Sequence, residues 1–317
     1  MKKITRILLL LLCAALLLGG TACEKDAPEE ENYDIGMDTA YEPCYGLPDG
    51  EGKTAHLILL TGQSNCTGCS VTSYLREQIP EEQFAVYSAG FPNVHINFNI
   101  DNHRTCSEGE FRKTDLMCGS YDEEFGPEVG LAATLAKARP DEDFYVLKFT
   151  MSGYSLNYHW LRDGQRGEIY NATKVFADNA ISYLQAQNYT VSFDAVLWMQ
   201  GESDTNEYKA KRYYDNQVAY ISYLREDFGP YAPEKGLYFI DAGISDSPYC
   251  LPGYPEVNAA KKKIAELSPL NLYFPTIENG LTTLKEPYDN PDLGHYDALS
   301  MIRLGELFGE TLLTIYS

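Results

Sequence analysis

The amino-acid sequence predicts an α/β fold in which a mostly parallel sheet lies between two layers of helices. The first observation is a series of continuous apolar runs, which are typical of strands covered on both faces. These runs are Ala55–Leu60, Phe84–Tyr87, Phe144–Phe149, Ala195–Met199 and Leu237–Ile240. The second is that helical patterns alternate with most of them, at Glu128–Arg139, Ala172–Gln187, Glu207–Glu226, Tyr254–Leu267 and Ala298–Ile315. This alternation indicates one three-layer α/β/α domain.

The N-terminal residues 1–22 have the pattern of an export signal. Basic residues precede the apolar run Ile7–Leu18, which is too short to span a bilayer, and small residues follow it. Cys23 comes next and looks like the lipidated cysteine of a bacterial lipoprotein signal, with ordinary cleavage after Ala22 as the alternative. We therefore expect an exported protein, lipid-anchored outside the cytoplasm through Cys23, or otherwise periplasmic or secreted.

The rest of the chain divides at about residue 53. Residues 23–52 are acidic and rich in Pro, Gly and Asp, which predicts a solvated tether. Residues 53–317 form the predicted domain. Within it, residues 90–124 are rich in Asn, Asp and Gly and read as a long irregular insertion, of the kind that often shapes a binding site.

Charge and cysteine content limit the partners and the chemistry. The formal net charge of -21 argues against a nucleic acid or an anionic membrane surface as the main partner, so we expect membrane contact only through the lipid anchor. Six cysteines lie beyond Cys23, enough for three disulfides, and a bridge between Cys106 and Cys118 would hold the insertion in shape. Cys66-x-x-Cys69 has no second pair or nearby histidine, so we expect no metal site.

The candidate catalytic serine lies at the end of the first predicted strand. Its apolar run passes into Gly62-Gln63-Ser64-Asn65, which places Ser64 at the C-terminal edge of the sheet. A serine in that position often only caps the next helix. Two distant stretches favour a catalytic role: the strand that ends at Met199-Gln200, and Asp292-x-x-His295 near the C-terminus.

Ser64, Asp292 and His295 supply the parts of a nucleophilic triad. A serine hydroxyl is a weak nucleophile at neutral pH and needs a base, for which His295 is the candidate. Asp292 would fix the tautomer of the imidazole and stabilise its charged form. The alternative is a surface histidine beside a helix start, where Asp292 or Asp297 caps the helix; both carboxylates are near enough in sequence to orient His295.

Four ordered motifs resemble those of the SGNH-type carbohydrate acetylesterases, and within them the sialate O-acetylesterase-like and acetylxylan esterase branch, carbohydrate esterase family six. The motifs are Gly62-Gln63-Ser64-Asn65, Phe125-Gly126-Pro127-Glu128, Trp198-Met199-Gln200-Gly201-Glu202 and Asp292-x-x-His295. The resemblance runs from about Ala55 to Phe308. It implies the flavodoxin-like arrangement of the SGNH-hydrolase fold.

The same resemblance implies a role for each matching residue. Ser64 would be the nucleophile, His295 the base and Asp292 its partner. The oxyanion hole would consist of the Ser64 backbone N–H, the Gly153 N–H and the Gln200 side chain. This chain has Ser152 where the family usually has the first of two glycines. For Glu202, which follows the family pattern, we expect structural hydrogen bonding.

The predicted function is that of a serine esterase that removes O-acetyl groups from glycans such as acetylxylan or acetylated sialic acid, through an acetyl-enzyme and without a metal or organic cofactor. Tyr154 and Trp160 lie close to Gly153 in sequence and would offer flat faces for a sugar ring, although such residues often fill a domain edge instead. The alternative function is a non-catalytic glycan-binding surface lipoprotein on the same fold.

Overall fold

Six parallel strands form the centre of the sheet in the computed structural model, which describes residues 34–317. They are β1 (Thr54–Gly62), β2 (Phe91–Ile100), β3 (Phe144–Thr150), β4 (Thr190–Met199), β5 (Tyr238–Ala242) and β6 (Asn271–Phe274). Their order across the sheet is β6-β5-β4-β1-β3-β2, and two short strands, Thr105–Cys106 and Arg112–Thr114, pair antiparallel with β2. The predicted mostly parallel sheet is therefore confirmed.

Helices cover both faces of this sheet. They are α1 (Ser64–Thr67), α2 (Thr72–Gln78), α3 (Glu81–Ala89), α4 (Glu128–Ala138), α5 (Glu168–Ala186), α6 (Glu207–Phe228), α7 (Tyr254–Ala265) and α8 (Ala298–Leu313). Lys148 and Phe149 are neighbours on β3, so their side chains point to opposite faces. Lys148 reaches Glu128 of α4, whereas the Phe149 ring packs on Phe176 of α5. Helices α4 and α5 thus lie on opposite faces, as a three-layer fold requires.

The register of the sheet brings three strand ends together. Gly62, the last residue of β1, pairs with Thr150 at the end of β3 and with Met199 at the end of β4. From β1, the chain places β2 and β3 on one side and β4 to β6 on the other. A sheet of this kind binds ligands at such a reversal, outside the carboxyl ends of the strands. The segments after Gly62, Thr150 and Met199 all start there.

Two sequence predictions of local structure are wrong. Phe84–Tyr87 lies in helix α3, on which Tyr87 is buried. A four-residue apolar run does not distinguish a strand from a helix. The insertion predicted at 90–124 begins with β2, a regular ten-residue strand. Its Asn97 and Asn99 are buried despite being polar, so the strand has no continuous apolar run.

The described part of the predicted tether packs on the domain. The Tyr41 ring contacts the rings of Phe149 and Phe176, with centroids 6.4 and 5.3 Å apart. Cys44 and Leu47 are buried in the core. The prediction of a solvated tether is therefore wrong for residues 34–50. The predicted signal segment, 1–22, and the proposed lipidation at Cys23 lie outside the described residues.

The six cysteines of the described chain are all free, so the predicted bridge between Cys106 and Cys118 is not formed. Burial raises the pKa of the Cys118 thiol to about 12, and its partner in the prediction, Cys106, is half-buried. In residues 34–317, the helices are all too short or too polar to cross a membrane.

Candidate active site

Ser64 is held at the end of β1 by a glycine that no other residue can replace without rearrangement. Gly62 has a φ of +150°, and a Cβ added to it would lie 1.9 Å from the Met199 carbonyl oxygen. The next N–H, that of Gln63, donates to the same carbonyl at 3.0 Å. Ser64 then opens α1 and is half-buried, whereas the remaining residues of that turn are buried. The turn therefore leaves Ser64 accessible at the sheet edge.

Asp292 and His295 form a hydrogen-bonded pair, with 2.6 Å between Asp292 Oδ2 and His295 Nδ1. Partial burial of Asp292 favours its neutral form, but hydrogen bonds from His295 and from the Gly294 N–H outweigh this effect and lower the pKa of Asp292. The carboxylate is thus charged at neutral pH. Asp297 is not the orienting acid, because its carboxylate accepts the backbone N–H groups of Lys285 and Glu286.

Asn65 fastens the loop of His295 to the turn of Ser64. Its Nδ2 donates to the Gly294 carbonyl at 3.2 Å, and its Oδ1 accepts the Tyr296 N–H at 3.0 Å. The residue next to Ser64 therefore binds the chain on both sides of His295. Within residues 34–317 the Ser64 hydroxyl itself has no hydrogen-bond partner. Asn65 therefore provides the connection between the two candidate residues.

Glu202 supports Asn65 from the loop after β4. The Glu202 Oε1 accepts from Asn65 Nδ2 at 2.7 Å, and its Oε2 is buried without a protein partner in the described chain. Burial raises the pKa of Glu202, while the Asn65 bond acts in the opposite direction. Glu202 thus has the structural hydrogen-bonding role that we expected. Gln63 adds a second link, since its Oε1 accepts the N–H groups of Gly201 and Ser203.

Two backbone N–H groups at this edge, those of Ser64 and Gly153, are the predicted oxyanion donors. Gly153 follows β3, has a φ of +80° and is exposed, and a Cβ on it would meet nothing within 4 Å. The preceding Ser152 is fixed, because its N–H donates to Asp101 Oδ1 at 2.6 Å and its hydroxyl to Thr67 at 3.2 Å. In the described part of the chain, the N–H groups of Ser64 and Gly153 have no hydrogen-bond partner. Both are available to an incoming oxygen.

Gln200 is arranged differently from these two donors. It is fully buried, and its Nε2 donates to Asp204 Oδ2 at 2.6 Å and to the Tyr154 carbonyl at 3.4 Å. Its Oε1 accepts from the Tyr213 hydroxyl at 3.1 Å. Both amide hydrogens are thus directed at protein acceptors. In this arrangement Gln200 holds the Tyr154 loop and offers no free donor, so its oxyanion role stays a prediction.

The two aromatic side chains predicted to stack on a sugar, Trp160 and Tyr154, differ in their exposure. Trp160, at the end of a π-helical turn (Leu156–Trp160), is 0% exposed and packs edge-on against Trp198 with centroids 4.9 Å apart. The prediction that Trp160 stacks on substrate is wrong, because its ring is enclosed in the core. Tyr154 is half-buried and packs edge-on against His159, with ring centroids 4.7 Å apart, and its substrate role stays a prediction.

Sequence reasoning missed Asn65 and Gln63 as functional positions, although both lie in the motif that contains Ser64. The signal was their place beside the nucleophile in a buried strand-to-helix turn, where an amide side chain must find hydrogen-bond partners. Their partners come from residues more than 130 positions away in sequence. Those partners are visible only in the folded chain.

A mostly parallel α/β/α sheet, with an accessible serine after its central strand and an Asp–His pair in a C-terminal loop, fits the SGNH-type esterases that the motifs resemble. The family of carbohydrate esterases described as sialic acid-specific acetylesterase matches residues 54–314. The chain belongs to this family and is a carboxylic ester hydrolase that acts on acetylated carbohydrate. No curated protein sequence gives a significant match.

Solved structures with the same fold share little sequence with this chain. An Arabidopsis thaliana protein has a TM-score of 0.58 at 18% identity, over 84% of this chain and 99% of its own. NanS has a TM-score of 0.55 at 12% identity, over 85% and 98%. A carbohydrate acetylesterase from Xanthomonas citri has a TM-score of 0.51 at 15% identity, over 80% of this chain and 55% of its own. These likenesses confirm the fold.

Proposed function

We propose that this protein is a serine esterase that removes O-acetyl groups from glycans through an acetyl-enzyme intermediate. The observation that carries the proposal is the Asp292–His295 pair, which Asn65 fastens beside Ser64. A base oriented by a carboxylate and positioned next to an accessible hydroxyl is the arrangement that activates a serine.

The proposed mechanism assigns one step to each of these donors and acceptors. With its Nδ1 hydrogen donated to Asp292, the imidazole of His295 keeps the lone pair on Nε2 for the Ser64 proton. Ser64 Oγ bonds to the acetyl carbon while the proton passes to Nε2, and the N–H groups of Ser64 and Gly153 stabilise the oxyanion. The C–O bond to the sugar then breaks, and His295 returns the proton to the leaving alcohol. Water, deprotonated by His295, releases acetate and restores Ser64.

Acetylxylan, acetylated sialic acid and related acetylated glycans are the proposed substrates. Support comes from the family, whose description names sialic acid, and from the acetylesterase of Xanthomonas citri, which has the same fold. The resemblance of the four motifs to carbohydrate esterase family six also supports the proposal. Acetate release measured across a panel of acetylated xylans and sialosides ranks these substrates.

Replacement of Ser64 tests the reaction. We expect Ser64→Ala to reduce acetate release by at least about 1,000-fold with the fold unchanged, because the nucleophile is lost. Ser182→Ala, on the exposed face of α5, is the matched control and should retain full activity. A fluorophosphonate probe should label the wild type but not Ser64→Ala. A wild type that binds acetylated glycan yet neither releases acetate nor takes the label would instead establish the glycan-binding lipoprotein.

We also propose export and lipid anchoring through Cys23, on the basis of the signal pattern in residues 1–22. A single acyl chain anchors weakly, so stable attachment requires several chains on the modified cysteine. Intact-mass spectrometry of the membrane-extracted protein should show an N-terminal Cys23 that carries acyl groups. An unmodified N-terminus in the soluble fraction would contradict the anchor.

A further inference from the structure

Tyr249 is the most exposed large apolar or aromatic side chain among the described residues, with 70% of its surface open to solvent. It lies in a short turn, Pro248–Cys250. The ring reaches the loop of the candidate base, because its Cδ2 lies 3.8 Å from the position that a Cβ on Gly294 would take. Gly294 directly precedes His295. An open aromatic ring therefore stands beside the proposed reaction centre.

The residues around this turn pack against the rest of the protein. Cys250 is buried, and its Sγ lies 3.6 Å from the Ser247 hydroxyl and 3.7 Å from that of Ser245, both of which are buried. At Gly253 the chain passes so close to the Thr205 carbonyl that an added Cβ would lie 2.1 Å from its oxygen. The turn thus packs against the segment that follows Glu202. The Tyr249 ring thus projects from a turn whose neighbouring residues are packed against the protein.

Three other aromatic side chains already have a packing or cationic partner, although Tyr121 and Tyr288 are 59% and 54% exposed. Trp160 is buried, as described above, and the ring of Tyr121 has the guanidinium of Arg104 over it, 5.4 Å from the centroid. Tyr288 packs edge-on against Tyr74 at 5.1 Å. Tyr249 has no aromatic or cationic partner among the described residues. Next to it, Leu251 is also exposed and extends the apolar surface.

We propose that Tyr249 is the sugar-binding face of the active site, on which a pyranose ring of the acetylated glycan stacks while its acetyl group reaches Ser64. The proposal rests on the proposed esterase function. The C–H face of a sugar ring is apolar and its hydroxyls are polar, so it suits an aromatic ring that is flat, open and surrounded by water. Because Tyr249 touches the sugar and not the acetyl carbon, it contributes to glycan affinity and selects sugar esters over small alkyl esters.

The test compares a sugar ester with a small ester in the same variants. Tyr249→Ala should lower kcat/KM for acetylated xylo-oligosaccharides and acetylated sialosides by about 5- to 30-fold, mainly through KM, because stacking is lost. Its kcat/KM for ethyl acetate, which has no ring to stack, should be unchanged. Tyr249→Phe keeps the ring and should resemble the wild type. Tyr45→Ala removes another exposed tyrosine, which pairs with Glu110, and should have no effect.

Two results would overturn the proposal: unchanged kcat/KM of Tyr249→Ala on both sugar esters, or an equal loss on ethyl acetate, which would indicate damage to the His295 loop. Calorimetric titration of the wild type and of Tyr249→Ala with the same oligosaccharides separates this proposal from the esterase function. If the wild type proves inactive, the esterase function fails, and the affinities still decide whether Tyr249 binds sugar. Equal affinities then refute the sugar-binding face.

Discussion

The side chain of Asn65 donates to Glu202 Oε1 at 2.7 Å, and the same amide group binds the backbone on both sides of His295. A buried carboxylate thus fixes one amide, and this amide fixes the loop of the candidate base. Glu202 lies behind Asn65 in this chain of contacts and acts as a positioning residue. Its influence on the reaction passes through the placement of His295.

Loss of the Glu202 acceptor should therefore slow the reaction without weakening substrate binding. We expect Glu202→Leu to lower kcat by about 10- to 100-fold with little change in KM, because a displacement of about 1 Å at a reacting group costs that much. Glu202→Gln retains an oxygen for Asn65 and should recover most of the rate. Steady-state kinetics of both variants provide the test. Equal losses in the two would show that Glu202 acts through its charge and not through Asn65.

Gly153 and Gly164 form a matched pair for the oxyanion hole. Both have positive φ, +80° and +73°, and a Cβ on either meets nothing within 4 Å. Alanine at either position should cost a similar free energy of unfolding, about 1–2 kcal/mol, from left-handed backbone strain alone. Only Gly153→Ala should also lower kcat, by about 10-fold or more, because it reorients the N–H group that is the proposed oxyanion donor. Urea unfolding and acetate release together measure this; equal kcat values in the two variants would remove Gly153 from the site.

The buried ion pair between Lys148 and Glu128 should be essential to stability. Both side chains are completely buried, 2.6 Å apart, and Lys148 also donates to the carbonyl oxygens of Thr67 and Cys118. Lys148→Met should lower the free energy of unfolding by about 3–5 kcal/mol, because it leaves a buried carboxylate without its partner.

Two further variants control this measurement. Adding Glu128→Gln to Lys148→Met should recover part of the loss, because no unpaired charge is then buried. Lys211→Met, which breaks an exposed pair with Glu207, should leave stability unchanged within error. Urea unfolding followed by tryptophan fluorescence measures all of these variants. A single Lys148→Met variant as stable as the wild type would show that the pair is dispensable.

His56 and His95 should give stability opposite dependences on pH. A hydrogen bond to Asp194, at 2.7 Å, raises the pKa of His56, whereas burial lowers the pKa of His95 against the opposing charge of Asp143. A raised pKa means that protonation favours the folded state. The contribution of His56 is then complete below its unfolded pKa of about 6.5 and is lost as pH rises through the folded value.

The two glutamine variants separate these effects. The stability advantage of the wild type over His56→Gln should be larger at about pH 5.5 than at about pH 9. For His95→Gln the change has the opposite sign, since protonation of His95 favours the unfolded state and weakens the wild type in acid. Urea unfolding at the two pH values tests both. A pH-independent difference for His56→Gln would mean that its bond to Asp194 does not depend on charge.

The sequence predicted the parts of the fold that depend on local pattern. Strands β1, β3, β4 and β5 were predicted from mostly apolar runs, which are typical of parallel strands covered on both faces. Single buried polar residues, such as Lys148 of β3, interrupt these runs. Strand β2 was missed because its buried Asn97 and Asn99 find partners that only the fold supplies, such as Ser107 and His103.

The candidate site shows the same division between local and distant information. The spacing of Asp292 and His295 places both in one loop, so their pairing was predictable. The buried position of Trp160 and the partners of Gln200 depend on residues from other elements, and no sequence spacing reveals them. Tyr249 was missed for the same reason, since its neighbour Gly294 is 45 positions further along the chain.

The packing of residues 34–50 sets where a recombinant version of the enzyme has to begin. A protein that starts at Lys53, the boundary predicted from sequence composition, would lack Tyr41 and Leu47. The aromatic side chains beneath them would then be exposed to water. Such a shortened protein would be prone to aggregate, and its low yield would be mistaken for a defect of the enzyme. Cloning from Asp34 or earlier retains this cover.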